Sequence, residues 1–138
     1  MLVDSNILIY AINLDSPKST EAQKFLKDNV GNLEITHQNV LESIRVLTHP
    51  KFASPMKIND CLKSITNIAE SSHIVYPDQQ SYYLVLELME NYNLSGNRIF
   101  DAYLVAIMLS YGIKEIATDN EKDFKKFEGI RIVNPFRK

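Results

Sequence analysis

An α/β domain built on a mostly parallel sheet is the fold the sequence predicts, and three observations predict it. Short apolar runs of strand character alternate with amphipathic runs of helical period along the chain, and strands spaced by helices form βαβ units. Two of the short runs, residues 1–3 and 116–118, end directly on an aspartate, the place where open parallel sheets present their ligands. A chain of 138 residues, 45% hydrophobic and 23% charged, is long enough for one domain with a proper core and too short for two.

The elements follow in order. Met1, Leu2 and Val3 form a short buried strand, and a helical run continues through Ile7, Leu8 and Ile12. An amphipathic helix is expected over residues 19–29, with Gly31 as its stop. Residues 33–36 make the second strand. A helix over residues 39–48 ends at His49-Pro50, because proline cannot continue one. Ser54 and Pro55 are expected to open the next helix as N-cap and first-turn residue. Its stripe of Ile58, Cys61, Leu62, Ile65, Ile68 and Ala69 has the i, i+3, i+4 spacing. Residues 74–76 form a third strand, and Asp78 caps a helix through Tyr82, Leu86 and Met89. Residues 98–111 form the most apolar helix, stopped by Gly112. Residues 116–118 and 130–133 supply the last strands. No linker, repeat or low-complexity stretch divides the chain, so residues 1–138 read as a single domain with helices on both faces of the sheet.

Composition narrows the function classes. No apolar run approaches a membrane span, and the acidic start Met1-Leu2-Val3-Asp4 lacks the basic region of a signal peptide. The single cysteine, Cys61, excludes an intramolecular disulfide and a cysteine-based zinc cluster, and its place on an apolar stripe favours packing. A cytoplasmic location is expected. His37, His49 and His73 make no H-x-x-x-H pair. There is no G-x-S-x-G elbow and no phosphate-cradling G-x-x-x-x-G-K, which disfavours serine hydrolases and nucleotide binding.

Four acids carry the candidate chemistry. Asp4 closes the first strand among Leu2, Val3, Ile7 and Leu8, where a carboxylate is costly without a partner, a metal or a helix cap to satisfy it. Asp101 lies in a run, residues 99–108, that is apolar nearly all round, and such helices are buried. An ion pair with Arg98 is the structural alternative. Glu42 has Arg45 three positions on and, taken alone, reads as half of a solvated pair. Asp119 follows the strand over residues 116–118. With those four set aside, a chain of formal charge −2 keeps a remainder of +2, so a mildly acidic total is compatible with a phosphodiester substrate. All-oxygen ligands select hard cations such as Mg²⁺ or Mn²⁺.

In order and spacing, five segments resemble the motifs of PIN-domain nucleases, and specifically the VapC toxin branch of that family. Leu2-Val3-Asp4-Ser5-Asn6 resembles the opening V-D-T-N motif, with Ser5 for the usual threonine. The segment from Glu42 to Pro50 is similar to the second-acid helix with its T-H-P ending, and Phe100-Asp101-Ala102-Tyr103-Leu104-Val105-Ala106 to the D-A-x-L-A-A helix. Thr118-Asp119-Asn120-Glu121-Lys122-Asp123-Phe124 resembles the T-x-(D/N)-x-x-D-F segment, and residues 129–135 the closing strand. The family's fourth acid stands two residues after the threonine, where this chain has Asn120. Asp119, Asn120 and Asp123 can each complete the site, and Asp119 is taken as the fourth acid.

The resemblance implies a PIN-like three-layer fold over residues 1–138 and an RNA-cleaving enzyme using Mg²⁺ or Mn²⁺. Asp4 and Asp101 would then hold the principal ion, and Glu42 and Asp119 a second ion or the attacking water. Ser5, Asn6, Thr118 and Asn120 would position the site, while Arg45, Arg98, Lys122, Lys125 and Lys126 are candidate contacts to the RNA backbone. A protein antitoxin and a homodimeric state are implied as well, with the helices over residues 58–68 and 81–86 as candidate surfaces. The rival function is a catalytically silent PIN-like module that binds RNA or protein. A small-substrate phosphatase of the D-x-D type is disfavoured, because the first motif reads Asp4-Ser5-Asn6.

Overall fold

Five short parallel strands lie in the order β3-β2-β1-β4-β5 in the computed structural model, which describes residues 1–137. Lys138, the last residue of the expected domain, lies outside the described residues. Along the chain the elements are β1 (Leu2–Val3), α1 (Ser5–Ile12), α2 (Ser19–Asp28), β2 (Glu34–Thr36), α3 (His37–Thr48) and α4 (Ile58–Glu70). They continue with β3 (His73–Val75), α5 (Gln79–Asn91), α6 (Arg98–Tyr111), β4 (Glu115–Ala117), α7 (Glu121–Phe124) and β5 (Arg131–Val133).

Side chains alternate across a strand, and that alternation sorts the core into two layers. Leu2, Ile116 and Ile132 pack with Val85, Ala102, Val105 and Phe124, so α5, α6 and α7 cover one face. Val3, Ile35 and Ala117 pack with Ile7, Leu8, Leu26 and Ile65, so α1, α2 and α4 cover the other. β1 sits at the centre with both its residues fully buried, as a parallel strand between two helical layers requires.

The structure moves several expected boundaries. α3 begins at His37, not Asn39, because the Thr36 hydroxyl accepts from the Asn39 amide at 3.0 Å and caps the helix. α4 begins at Ile58 rather than at Ser54-Pro55. The Ser54 hydroxyl donates to Asp15 at 2.9 Å, and the Met56 amide donates to the Leu47 carbonyl at 2.8 Å, which holds the chain out of helical conformation there. Cys61 and Ile65 are core, as expected of the stripe, but Ile58 and Leu62 are exposed. β4 stops at Ala117, so Thr118 is the first residue beyond the sheet. The four-residue α7 was not anticipated, being too short for any periodic signal; buried Phe124 anchors it. Among the described residues no helix is long and apolar enough to cross a membrane.

Candidate active site

β1 and β4 are neighbours, with Leu2 opposite Ile116 and Val3 opposite Ala117. Residues following the two strands therefore emerge side by side at the carboxyl edge of the sheet. Asp4 does so with 7% of its surface exposed. It caps α1, its Oδ1 accepting from the Ser5 amide at 2.8 Å. Its Oδ2 accepts from the Thr118 hydroxyl at 2.8 Å and from Asn6 Nδ2 at 3.1 Å. Asn6 Nδ2 also reaches Thr118 Oγ1 at 3.1 Å, its Oδ1 accepts from the Asp119 amide at 3.2 Å, and Thr118 Oγ1 accepts from the Asn120 amide at 3.0 Å. This network stitches the end of β1 to the end of β4 and fixes the carboxylate between them.

A cleft of about 1280 Å³ opens beside Asp4, and Glu42 from α3, Asp101 from α6 and Asp123 from α7 also line it. Among the described residues none of these four acids is in an ion pair. Their charges are felt by one another. Burial, then the negative charges of Asp123 and Asp4, push the Asp101 carboxyl up to about 6, with Lys126 a partial offset. Burial and the charge of Asp4 raise Glu42, against a Ser5 hydrogen bond and Arg45. Burial also raises Asp4, against the hydrogen bonds from Thr118 and Ser5. Arg98 makes no ion pair with Asp101, so that structural alternative does not account for the buried acid.

Asp119 stands apart from this group. Burial acts to raise its carboxyl, but an ion pair with Lys18 and a 3.1 Å hydrogen bond from the Tyr10 hydroxyl hold it below the ordinary value. Lys18 also lies 5.2 Å from the Tyr10 ring centroid and 5.1 Å from that of Phe136. Successive residues leaving a strand face opposite ways: Thr118 turns to Asp4, and Asp119 turns to α1 and the C-terminal segment. Asp119 does not line the cleft, whereas Asn120 and Asp123 do. Gln38, Leu41 and Phe100 also line the cleft, and sequence reasoning assigned none of them a role at the site. The signal for Leu41 and Phe100 was present, since each is an apolar residue immediately before a candidate acid, and they are 55% and 58% exposed.

The cleft's acids suit a hard divalent cation. All are oxygen donors, and two of the three raised carboxyls lie at helix positions facing Asp4 without a compensating ion pair, where positive charge relieves mutual repulsion. Among the described residues no three His, Cys, Asp or Glu side chains stand close enough together, as placed, to hold a metal ion, so Asp4, Glu42, Asp101 and Asp123 would have to close on one from their separate elements.

The PIN domain family model matches residues 1–130. Ribonuclease VapC48 of Mycobacterium tuberculosis is 29% identical over 140 residues, covering 96% of this chain and 95% of that protein. Among solved structures, a toxin-antitoxin complex from Klebsiella pneumoniae superposes with a TM-score of 0.72 at 21% identity, covering 98% of this chain and 97% of the other. VapC20 of Mycobacterium tuberculosis, described as a sarcin-ricin loop cleaving toxin, superposes with a TM-score of 0.70 at 12% identity, covering 94% and 98%. With a family model spanning residues 1–130 and a fold shared with these structures over nearly the whole chain, the chain belongs to the PIN domain family.

Proposed function

We propose that this chain, as one PIN domain, is a metal-dependent endoribonuclease and the toxin of a toxin–antitoxin pair acting in the cytoplasm. The observation that carries the chemistry is the meeting of Asp4, Glu42, Asp101 and Asp123 around one cleft without ion-pair partners. The family and the ribonuclease VapC48 supply the substrate class. The Klebsiella complex supports a protein antitoxin as partner. A homodimeric state is supported by exposed Ile58 and Leu62 on α4 and Tyr82, Tyr83 and Leu86 on α5.

In this reading Asp4 and Asp101 hold Mg²⁺ or Mn²⁺, with Glu42 and Asp123, in place of Asp119, completing the acidic set. A divalent cation bound there lowers the pKa of water and steadies charge on a phosphoryl group. The chain's own residues do the rest. Thr118 and Asn6 hold Asp4 in one orientation, so the attacking and leaving oxygens meet a fixed carboxylate. Glu42, its carboxyl raised by burial and the charge of Asp4, can orient a water beside the ion. Arg45 and Arg98 at the cleft are placed to take flanking phosphates.

The test is cleavage of a labelled single-stranded RNA by the purified chain with Mg²⁺, Mn²⁺ or EDTA, beside Asp101→Asn. Cutting that needs the metal and is lost in a folded Asp101→Asn is the expected result. Cutting that survives EDTA would remove the metal from the reading, and a folded chain without its antitoxin that cuts no RNA would favour the silent binding module.

A further inference from the structure

We infer that the exposed ring pair His37–Tyr76, with the Gln38 amide beside it, is a docking subsite for an unpaired RNA base next to the scissile bond. The inference rests on the ribonuclease reading and adds to it where the substrate is gripped. Sheet order brings the subsite to the acids. β3, β2 and β1 are consecutive neighbours, and Thr36 at the end of β2 stands opposite Val75 at the end of β3. The next residue of each strand, His37 and Tyr76, therefore emerges at the same carboxyl edge as Asp4, within about two strand spacings, or ~10 Å, of it. The two rings lie with centroids 5.7 Å apart and planes inclined at 38°.

Their surroundings match a base better than they match a core. Tyr76 is 57% exposed, yet its backbone carbonyl is held by the Tyr111 hydroxyl at 2.7 Å, so the ring projects from a fixed point. His37 and Gln38 line the cleft that Asp4 and Glu42 line. The side-chain oxygen of Gln38 and the side-chain nitrogen of Asn39 are buried with no hydrogen-bond partner among the described residues, a cost that falls when the Gln38 amide turns out to a ligand in the cleft. Exposed Arg45 and Arg98 stand on the same cleft in no ion pair among the described residues. A π-face, a hydrogen-bonding edge and a negative backbone are the three things these groups ask of a ligand, and an unpaired nucleotide has all three. A single exposed aromatic would be ordinary surface; a ring pair whose His37 member lines the cleft beside Gln38 and the two arginines, with Tyr76 stacked at its rim, is not.

Binding is measured in an Asp101→Asn background, chosen to remove cleavage from the readout. The probe is a short single-stranded RNA carrying 2-aminopurine, with its blunt duplex as comparison. Quenching of the fluorophore when the single strand binds the protein is expected, together with about tenfold weaker binding for Tyr76→Leu and for His37→Ala. Tyr76→Phe should bind like the parent, and the duplex should bind more weakly than the single strand. Gln38→Ala should flatten the preference among bases at one position. Melting curves confirm that each variant is folded, and His37→Ala remains decisive should Tyr76→Leu fail to fold. Single-strand affinity and quenching unchanged in both ring variants would overturn the subsite while leaving the nuclease reading standing. A parent chain that neither binds nor cuts RNA would remove both. A dimer that dissociates in Tyr76→Leu with RNA affinity unchanged would assign the rings to a contact between copies and overturn the subsite.

Discussion

At Asp101, burial and the charges of Asp123 and Asp4 hold a carboxyl at about 6 against an ordinary value of 3.8. A carboxyl whose pKa is higher folded than unfolded keeps its proton longer in the folded state. Its contribution is fully present below the unfolded value and is lost as pH rises through the folded one. The metal-free protein should therefore lose stability between about pH 4 and pH 6. Asp101→Asn removes the charge and should raise the melting temperature in EDTA at pH 7.5 by a few degrees. The gain should vanish near pH 4, where the parent is also neutral. A lower melting temperature for Asp101→Asn at pH 7.5 would show the carboxylate to be a structural acceptor. The same residue should be needed for cleavage, so stability and activity should move in opposite directions. Asp119 and Asp123 separate on similar grounds. Asp123→Asn should cut RNA at least tenfold more slowly, whereas Asp119→Asn, which loses the charge that pairs with Lys18 and strengthens the Tyr10 hydrogen bond, should keep most of its activity and melt earlier. The reverse order of activities would return the fourth acid to Asp119. Asp101 was legible in the sequence because a charge amid nine apolar positions has few explanations. Which of Asp119 and Asp123 faces the cleft was not, since that depends on where β4 ends and on α7.

Between elements, the joint of β1 with β4 depends on one hydroxyl. Thr118 is fully buried and its Oγ1 serves Asp4, Asn6 and the Asn120 amide at once. Thr118→Val keeps the shape and removes all three bonds, so the cost should be about 1–3 kcal/mol of unfolding free energy. It should also weaken Mn²⁺ binding by about 10- to 100-fold, as loss of a group orienting a metal ligand does. Chemical denaturation reads the first and a Mn²⁺ titration the second, and Thr118→Ser, which keeps the hydroxyl, should recover most of both. Loss of stability with unchanged Mn²⁺ affinity would confine Thr118 to holding the strands together. At this scale the sequence was informative wherever a local rule acted. Asp78 caps α5, bonding the Ser81 amide at 2.8 Å, and Gly112 ends α6 at φ +69°, both as expected. It misled at Ser54-Pro55, where a plausible cap is drawn off by Asp15, a residue 39 positions away. Long-range hydrogen bonds of that kind leave no local pattern to read.

For the whole molecule, the arrangement of charge decides how RNA can be held. The chain has a formal charge of −2 and a pI near 5.9, which is poor equipment for coating nucleic acid. The parallel α/β class and two-sided core followed from the alternation of strands and helices, but the order of the strands did not. Only that order reveals that the acids share their cleft with Arg45 and Arg98. Each cation paired with a phosphate of a single strand contributes about −0.7 to the slope of log affinity against log salt. With Arg45 and Arg98, and Lys126 close enough to lower the Asp101 carboxyl, the expected slope for Asp101→Asn protein and single-stranded RNA is about −1.5 to −2. Arg98→Ala should flatten it by about 0.7 units. Chelation with EDTA should weaken binding, because the remaining acids then repel the phosphates. Affinity measured from low to physiological salt, with and without EDTA, checks all three expectations together. A slope several units steeper, indifferent to Arg98→Ala and to EDTA, would mean that the strand runs over a different, more basic face and meets the acids only at the cut.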